Sequence, residues 1–79
     1  MESNEVPIRG ETIRLGQLLK LAGAVGSGSE AKLLLEHEPL WVNGERESRR
    51  GRQLRPGDNV RFAGQELRVT AAPAGAQPG

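Results

Sequence analysis

Seventy-nine residues give one domain with a small core, and the absence of cysteine excludes disulfides, thiolate metal sites and a thiol nucleophile, in keeping with a reducing cytoplasm. No apolar run approaches the ~20 residues of a membrane span, and Met1-Glu2-Ser3-Asn4-Glu5 lacks the basic and apolar regions of a signal peptide, so a cytoplasmic protein is expected. The net charge of +1 conceals a polarised chain, −3 over residues 1–45 and +4 over residues 46–79, a distribution suited to a polyanionic partner.

Residues 1–5 are polar and expected to be loose. Val6 to Arg9 and Thr12 to Arg14 read as extended on either side of Gly10, with Pro7 confining the first to a sheet edge. Leu15, Leu18, Leu19 and Ala22 recur at i, i+3, i+4 and i+7, which predicts a short core helix with Gln17 and Lys20 on its opposite face. Gly23 suits a left-handed C-terminal cap, whereas Gly16 costs the helix roughly 0.5–1 kcal/mol relative to alanine if it lies inside. Ser27 with Glu30 predicts a capping box, each side chain accepting from the other's backbone N–H, and hence a second helix. Its apolar stripe is Ala31, Leu34 and Leu35, and Pro39 prevents its continuation. His37 near its end suits the helix C-terminus and is given no chemistry.

Leu40-Trp41-Val42 predicts a strand with Trp41 on the less buried face, where it either stacks a base or covers the edge of a small core. Asn43-Gly44 fits a two-residue type I′ hairpin turn, because both residues tolerate positive φ. The ten residues from Arg46 to Arg55 hold Arg46, Arg49, Arg50, Arg52 and Arg55 against Glu47 alone, a local charge of +4. Guanidinium is permanently charged and binds phosphate oxygens through paired donors, so this run is the main functional signal, with a solvated loop as the bland alternative. Arg55-Pro56-Gly57-Asp58 suits a type II turn. Val60 and Phe62, then Leu67 and Val69, alternate around an Ala63-Gly64 turn and predict a closing hairpin. Residues 71–79 carry no large apolar side chain and are expected to be a disordered tail.

The order of these pieces resembles the S4-type RNA-binding domain, the αL motif, and in particular the small stand-alone S4-like proteins of bacteria. The resemblance rests on Leu19 to Gly23, Ser27 to Lys32, Val42 to Glu45, the Glu47 to Arg52 arginine run and Leu54-x-Pro56-Gly57-Asp58-x-Val60, and it spans roughly Thr12 to Val69. It implies an α+β fold, two helices packed on a small, mostly antiparallel sheet, with residues 1–11 as an extension and 12–70 as the S4-like domain. It also implies an RNA-facing surface formed by the helix pair and the β-loop, drawing on Arg14, Lys32, Asn43, Arg49, Arg50 and Arg52. The charge of the arginine run adds Arg46 and Arg55, and Trp41 is the candidate for base stacking. Asn43 is alternatively a turn residue alone, and Lys32 alternatively pairs with Glu36 at i+4. Gly16 stands where many members carry an acid, and Glu30 where many are basic.

The expected partner is structured RNA, ribosomal RNA being the leading candidate, bound by a monomer without cofactor or small-molecule substrate. No catalytic constellation is visible: there is one histidine, no phosphate-cradling glycine loop before a lysine, and no pair of carboxylates in an apolar setting. Two rival readings are a basic protein-interaction module and a ubiquitin-like carrier. The carriers end in Gly-Gly and order their helices differently, whereas this sequence ends Ala-Gln-Pro-Gly.

Overall fold

The computed structural model describes residues 2–72. In chain order the elements are β1 (Glu2–Ile8), β2 (Ile13–Arg14), α1 (Leu15–Leu21), α2 (Gly28–His37), β3 (Leu40–Val42), β4 (Glu45–Arg46), β5 (Gln53–Leu54), β6 (Asn59–Phe62) and β7 (Gln65–Ala71). Five strands form one sheet in the order β1-β7-β6-β3-β4, and β2 pairs with β5 in a separate two-stranded ribbon. All pairings are antiparallel except β1 with β7, so the small α+β architecture has the expected mostly antiparallel sheet.

The N-terminal segment departs from its expected looseness. β1 starts at Glu2 and runs parallel to β7, and Val6 and Ile8 are buried in the common core. The backbone N–H and C=O groups of the long β7 strand supply the partner that a local reading of residues 1–5 lacks. Pro7 sits on this outermost strand, where a missing N–H breaks no ladder. At the other end, Ala71 closes β7 and the Ala72 N–H donates to the Ile8 carbonyl at 2.9 Å, so sheet pairing continues into the segment expected to be a tail. The remainder of that expectation, residues 73–79, lies outside the described residues.

Alternation sorts the sheet into two faces. Leu40, Val42, Val60, Phe62, Leu67 and Val69 point inward and meet Leu15, Leu18, Leu19, Ala31 and Leu35 from the helices. The other face carries Trp41, Arg46, Arg61, Glu66 and Arg68. At roughly 1.5–3 kcal/mol per fully buried aliphatic side chain, the helix-to-sheet core is the main source of stability.

Local chemistry sets the element ends. Gly23 has φ +78°, and the Gly23 and Ala24 N–H groups donate to Lys20 and Leu19 carbonyls, a Schellman cap that stops α1. Ser27 Oγ accepts from the Glu30 N–H at 3.1 Å and starts α2. The reciprocal half of the expected capping box is shifted by one residue, because the Glu30 carboxylate takes the Gly26 N–H, at 3.2 Å, rather than that of Ser27. Asn43 and Gly44 both adopt positive φ and join β3 to β4, and Gly57 at φ +102° completes the Arg55 to Asp58 turn. His37 Nδ1 donates to the Leu33 carbonyl at 2.9 Å, a local role at the end of α2.

Candidate nucleic-acid interface

The arginine run forms the loop between β4 and β5, and Glu47 is its centre. This carboxylate is 6% exposed and accepts from Ser48 N–H (3.0 Å), Arg49 N–H (2.9 Å), Arg49 Nε (3.1 Å), Arg49 Nη2 (3.2 Å) and Arg52 Nη1 (2.9 Å). The bonds from the Arg49 side chain, helped by its backbone N–H and by Arg52, hold the Glu47 carboxyl down at about 2 against the opposing effect of burial. The loop therefore wraps around one anion. Sequence reading counted Glu47 only as a charge subtracted from five arginines, because nothing local shows that its side chain turns inward.

The loop is also fastened to the helix pair. α1 begins without a side-chain cap, and its first N–H groups find loop carbonyls instead: Leu15 N donates to Arg52 O at 2.8 Å and Gly16 N to Arg50 O at 2.9 Å. Gly16, a cost without a visible return in the sequence, now has a reason. A Cβ there would stand 2.6 Å from Arg50 Cγ, so glycine lets the Arg50 stem lie directly across α1. Arg50 Nη1 then reaches the Gly28 carbonyl at the start of α2, at 3.2 Å.

These contacts frame a cleft of about 250 Å³ lined by Arg14, Gly16, Gln17, Lys20, Gly28 and Arg50. Three cations line it and none of its lining residues is acidic. Arg14 reaches it from the end of β2 and Lys20 from the solvent face of α1. Sequence reading missed Lys20 as a site residue, although its position three residues after Gln17, on the face of α1 opposite the leucine stripe, was the available signal.

The other residues singled out from the sequence are dispersed over the molecule. Arg49, 74% exposed, and Arg52, 29% exposed, are ion-paired to Glu47 beside the cleft. Lys32 is exposed one helical turn beyond Gly28, and no ion pair joins it to Glu36 among the described residues. Trp41 and Arg46 lie instead on the sheet face away from the helices, with the Arg46 guanidinium 5.7 Å from the indole centre. Asn43 ties two turns together: its Nδ2 donates to Asp58 Oδ1 at 3.0 Å and its Oδ1 accepts from the Asn59 N–H at 2.9 Å. The exposed Arg55 begins the turn into β6, its N–H held by Asp58 Oδ2 at 2.8 Å, and is not among the residues that line the cleft. The single continuous surface expected from the sequence is thus divided between the two faces of the sheet.

A helix pair fastened to an arginine-bearing β-loop, all on one small sheet, defines a class of protein. The model of the S4 domain family matches residues 6–70, and the chain belongs to that family. The matched span runs from the core end of β1 to the penultimate residue of β7 and contains the whole cleft. Among characterised sequences, the chain is 45% identical over 62 residues to a Bacillus subtilis (strain 168) protein named "Probable ribosome maturation protein RlbA", covering 78% of this chain and 87% of that protein. Membership of the S4 family leaves the ubiquitin-like carrier without support. No described helix is long and apolar enough to cross a membrane.

Proposed function

We propose that the chain is a non-catalytic RNA-binding protein of ribosome maturation, which grips structured RNA, foremost ribosomal RNA, in the cleft between α1, the start of α2 and the arginine loop. Arg14, Lys20 and Arg50 bind phosphates there. Arg49 extends this surface along the loop with the donors that Glu47 leaves free, and Lys32 extends it along α2. Arg52 is chiefly a support that positions Glu47 and the loop.

The carrying observation is the double attachment of the loop, through Glu47 within and through the α1 N-terminus without. Cations held in place before RNA arrives lose less conformational entropy on binding, which favours a fixed RNA shape over any flexible polyanion. The name of the Bacillus subtilis relative supports the ribosomal setting.

Crosslinking tests this reading. Ultraviolet irradiation of cells followed by recovery of the chain should yield ribosomal RNA fragments, joined to peptides containing residues 14–20 or 49–52. If instead the chain is recovered in a complex that nuclease leaves intact and that carries no crosslinked RNA, it is a protein-interaction module.

A further inference from the structure

The sheet face turned away from the helices carries a second constellation that the cleft does not use. Strand register lays Arg46 of β4, Trp41 of β3, Arg61 of β6 and Glu66 of β7 in one row across it. Trp41 is only partly buried, and it lines an open groove of about 370 Å³ with Asn43, Gly44, Asn59, Arg61 and Glu66. The core lies on the other face, where Leu40 and Val42 of the same strand are buried. Core packing therefore gives no reason for a large aromatic at position 41.

We propose that this face is a second RNA contact, in which an unpaired base stacks on Trp41 while phosphates on either side of it bind Arg46 and Arg61. The inference rests on the reading of the chain as an RNA-binding protein, but not on the cleft. Indole offers a π-surface that any base can stack on, and arginines beside it suit the backbone. Two strand spacings separate Arg46 from Arg61, roughly 10 Å between backbones, a span that two long side chains can close around one nucleotide. The Asn59 amide in the same groove presents a donor and an acceptor to a base edge. Glu66, beyond Arg61, repels phosphate and directs the strand toward the β4 side. The two contacts then occupy opposite faces of the sheet, one for shaped RNA and one for a single-stranded segment.

Trp41 is the only tryptophan and the chain has no tyrosine, so intrinsic fluorescence reports this site alone. Titrating the full chain with single-stranded octa-adenylate should quench Trp41. By anisotropy of labelled octa-adenylate, Trp41→Ala should weaken binding about tenfold or more, Trp41→Phe should retain most of it, and Arg46→Gln with Arg61→Gln should weaken it without changing the folded circular dichroism spectrum. The variant Arg14→Gln, Lys20→Gln, Arg50→Gln should lose an RNA hairpin yet keep the quenching by octa-adenylate. Absence of quenching, or wild-type octa-adenylate affinity in the folded Arg46 and Arg61 double variant, overturns the sheet-face contact even if the hairpin still binds. Loss of quenching in the triple variant also overturns it, because Trp41 would then belong to the cleft. Equal quenching by polyglutamate overturns it in favour of an acidic protein partner.

Discussion

At Glu47 a negative charge sits inside a basic loop and organises it, and the consequence is a specific pH dependence. Its carboxyl is held at about 2 against an ordinary value of 4.5, so the folded state binds this proton more weakly than the unfolded chain does. The stabilisation it supplies is complete above about pH 4.5 and is lost as pH falls toward 2. Glu47→Gln should therefore lower the urea midpoint at pH 6, by about 2 kcal/mol of stability, and the gap to wild type should close near pH 2. A gap that stays constant through acid would show that charge has no part in Glu47's role. A second residue-scale effect belongs to Ala63, which adopts φ +49° in the turn between β6 and β7. Alanine is disfavoured there, whereas the short polar side chain of asparagine hydrogen-bonds locally and tolerates this left-handed φ, so Ala63→Asn should stabilise the protein by ~0.5–1 kcal/mol. Thermal unfolding of the two proteins measures it directly, and an unchanged or lower midpoint would refute it.

Among the elements, those fixed by near neighbours were legible in the sequence. The Gly23 cap, the Ser27 cap, the Asn43-Gly44 turn and the Arg55 to Asp58 turn each depend on residues a few positions apart. What escaped depends on distant partners. β1 is a strand because β7, nearly sixty residues later, offers an edge, and the two-residue strands β2 and β5 exist only by pairing with each other. Gly16 is the instructive case, since helix propensity alone predicts that alanine there gains about 1 kcal/mol. The approach of Arg50 predicts otherwise: Gly16→Ala should be neutral or destabilising by urea unfolding, and it should weaken RNA binding because Arg50 is pushed off α1. A variant that is a full 1 kcal/mol more stable and binds RNA normally would contradict the packing described for this helix. Ser27→Ala should cost ~1 kcal/mol through the lost cap, and an unaltered midpoint would remove Ser27 from that role.

On the scale of the whole molecule, the fold redistributes charge that the sequence keeps apart. The first 45 residues are net acidic and the last 34 net basic, yet the cleft joins Arg14 and Lys20 of the acidic part to Arg50 of the basic part. Counting charge along the chain located the arginine loop but not its neighbours, and it grouped Trp41 and Arg46 with residues on the far side of the sheet. Only strand register separates them. Arg49 and Arg52, the densest part of the charge signal, prove to be partly occupied by Glu47, which moves the proposed RNA contact toward Arg14, Lys20 and Arg50.

Whether these three cations grip RNA as a set is read from the salt dependence of binding to a ribosomal RNA hairpin. Each phosphate neutralised contributes about −0.7 to −0.9 to the slope of log K against log salt. Wild type and the variant Arg14→Gln, Lys20→Gln, Arg50→Gln should be titrated by fluorescence anisotropy once both are shown to be folded. The variant should bind more weakly, with a slope shallower by roughly 2. An unchanged slope at unchanged affinity would contradict it.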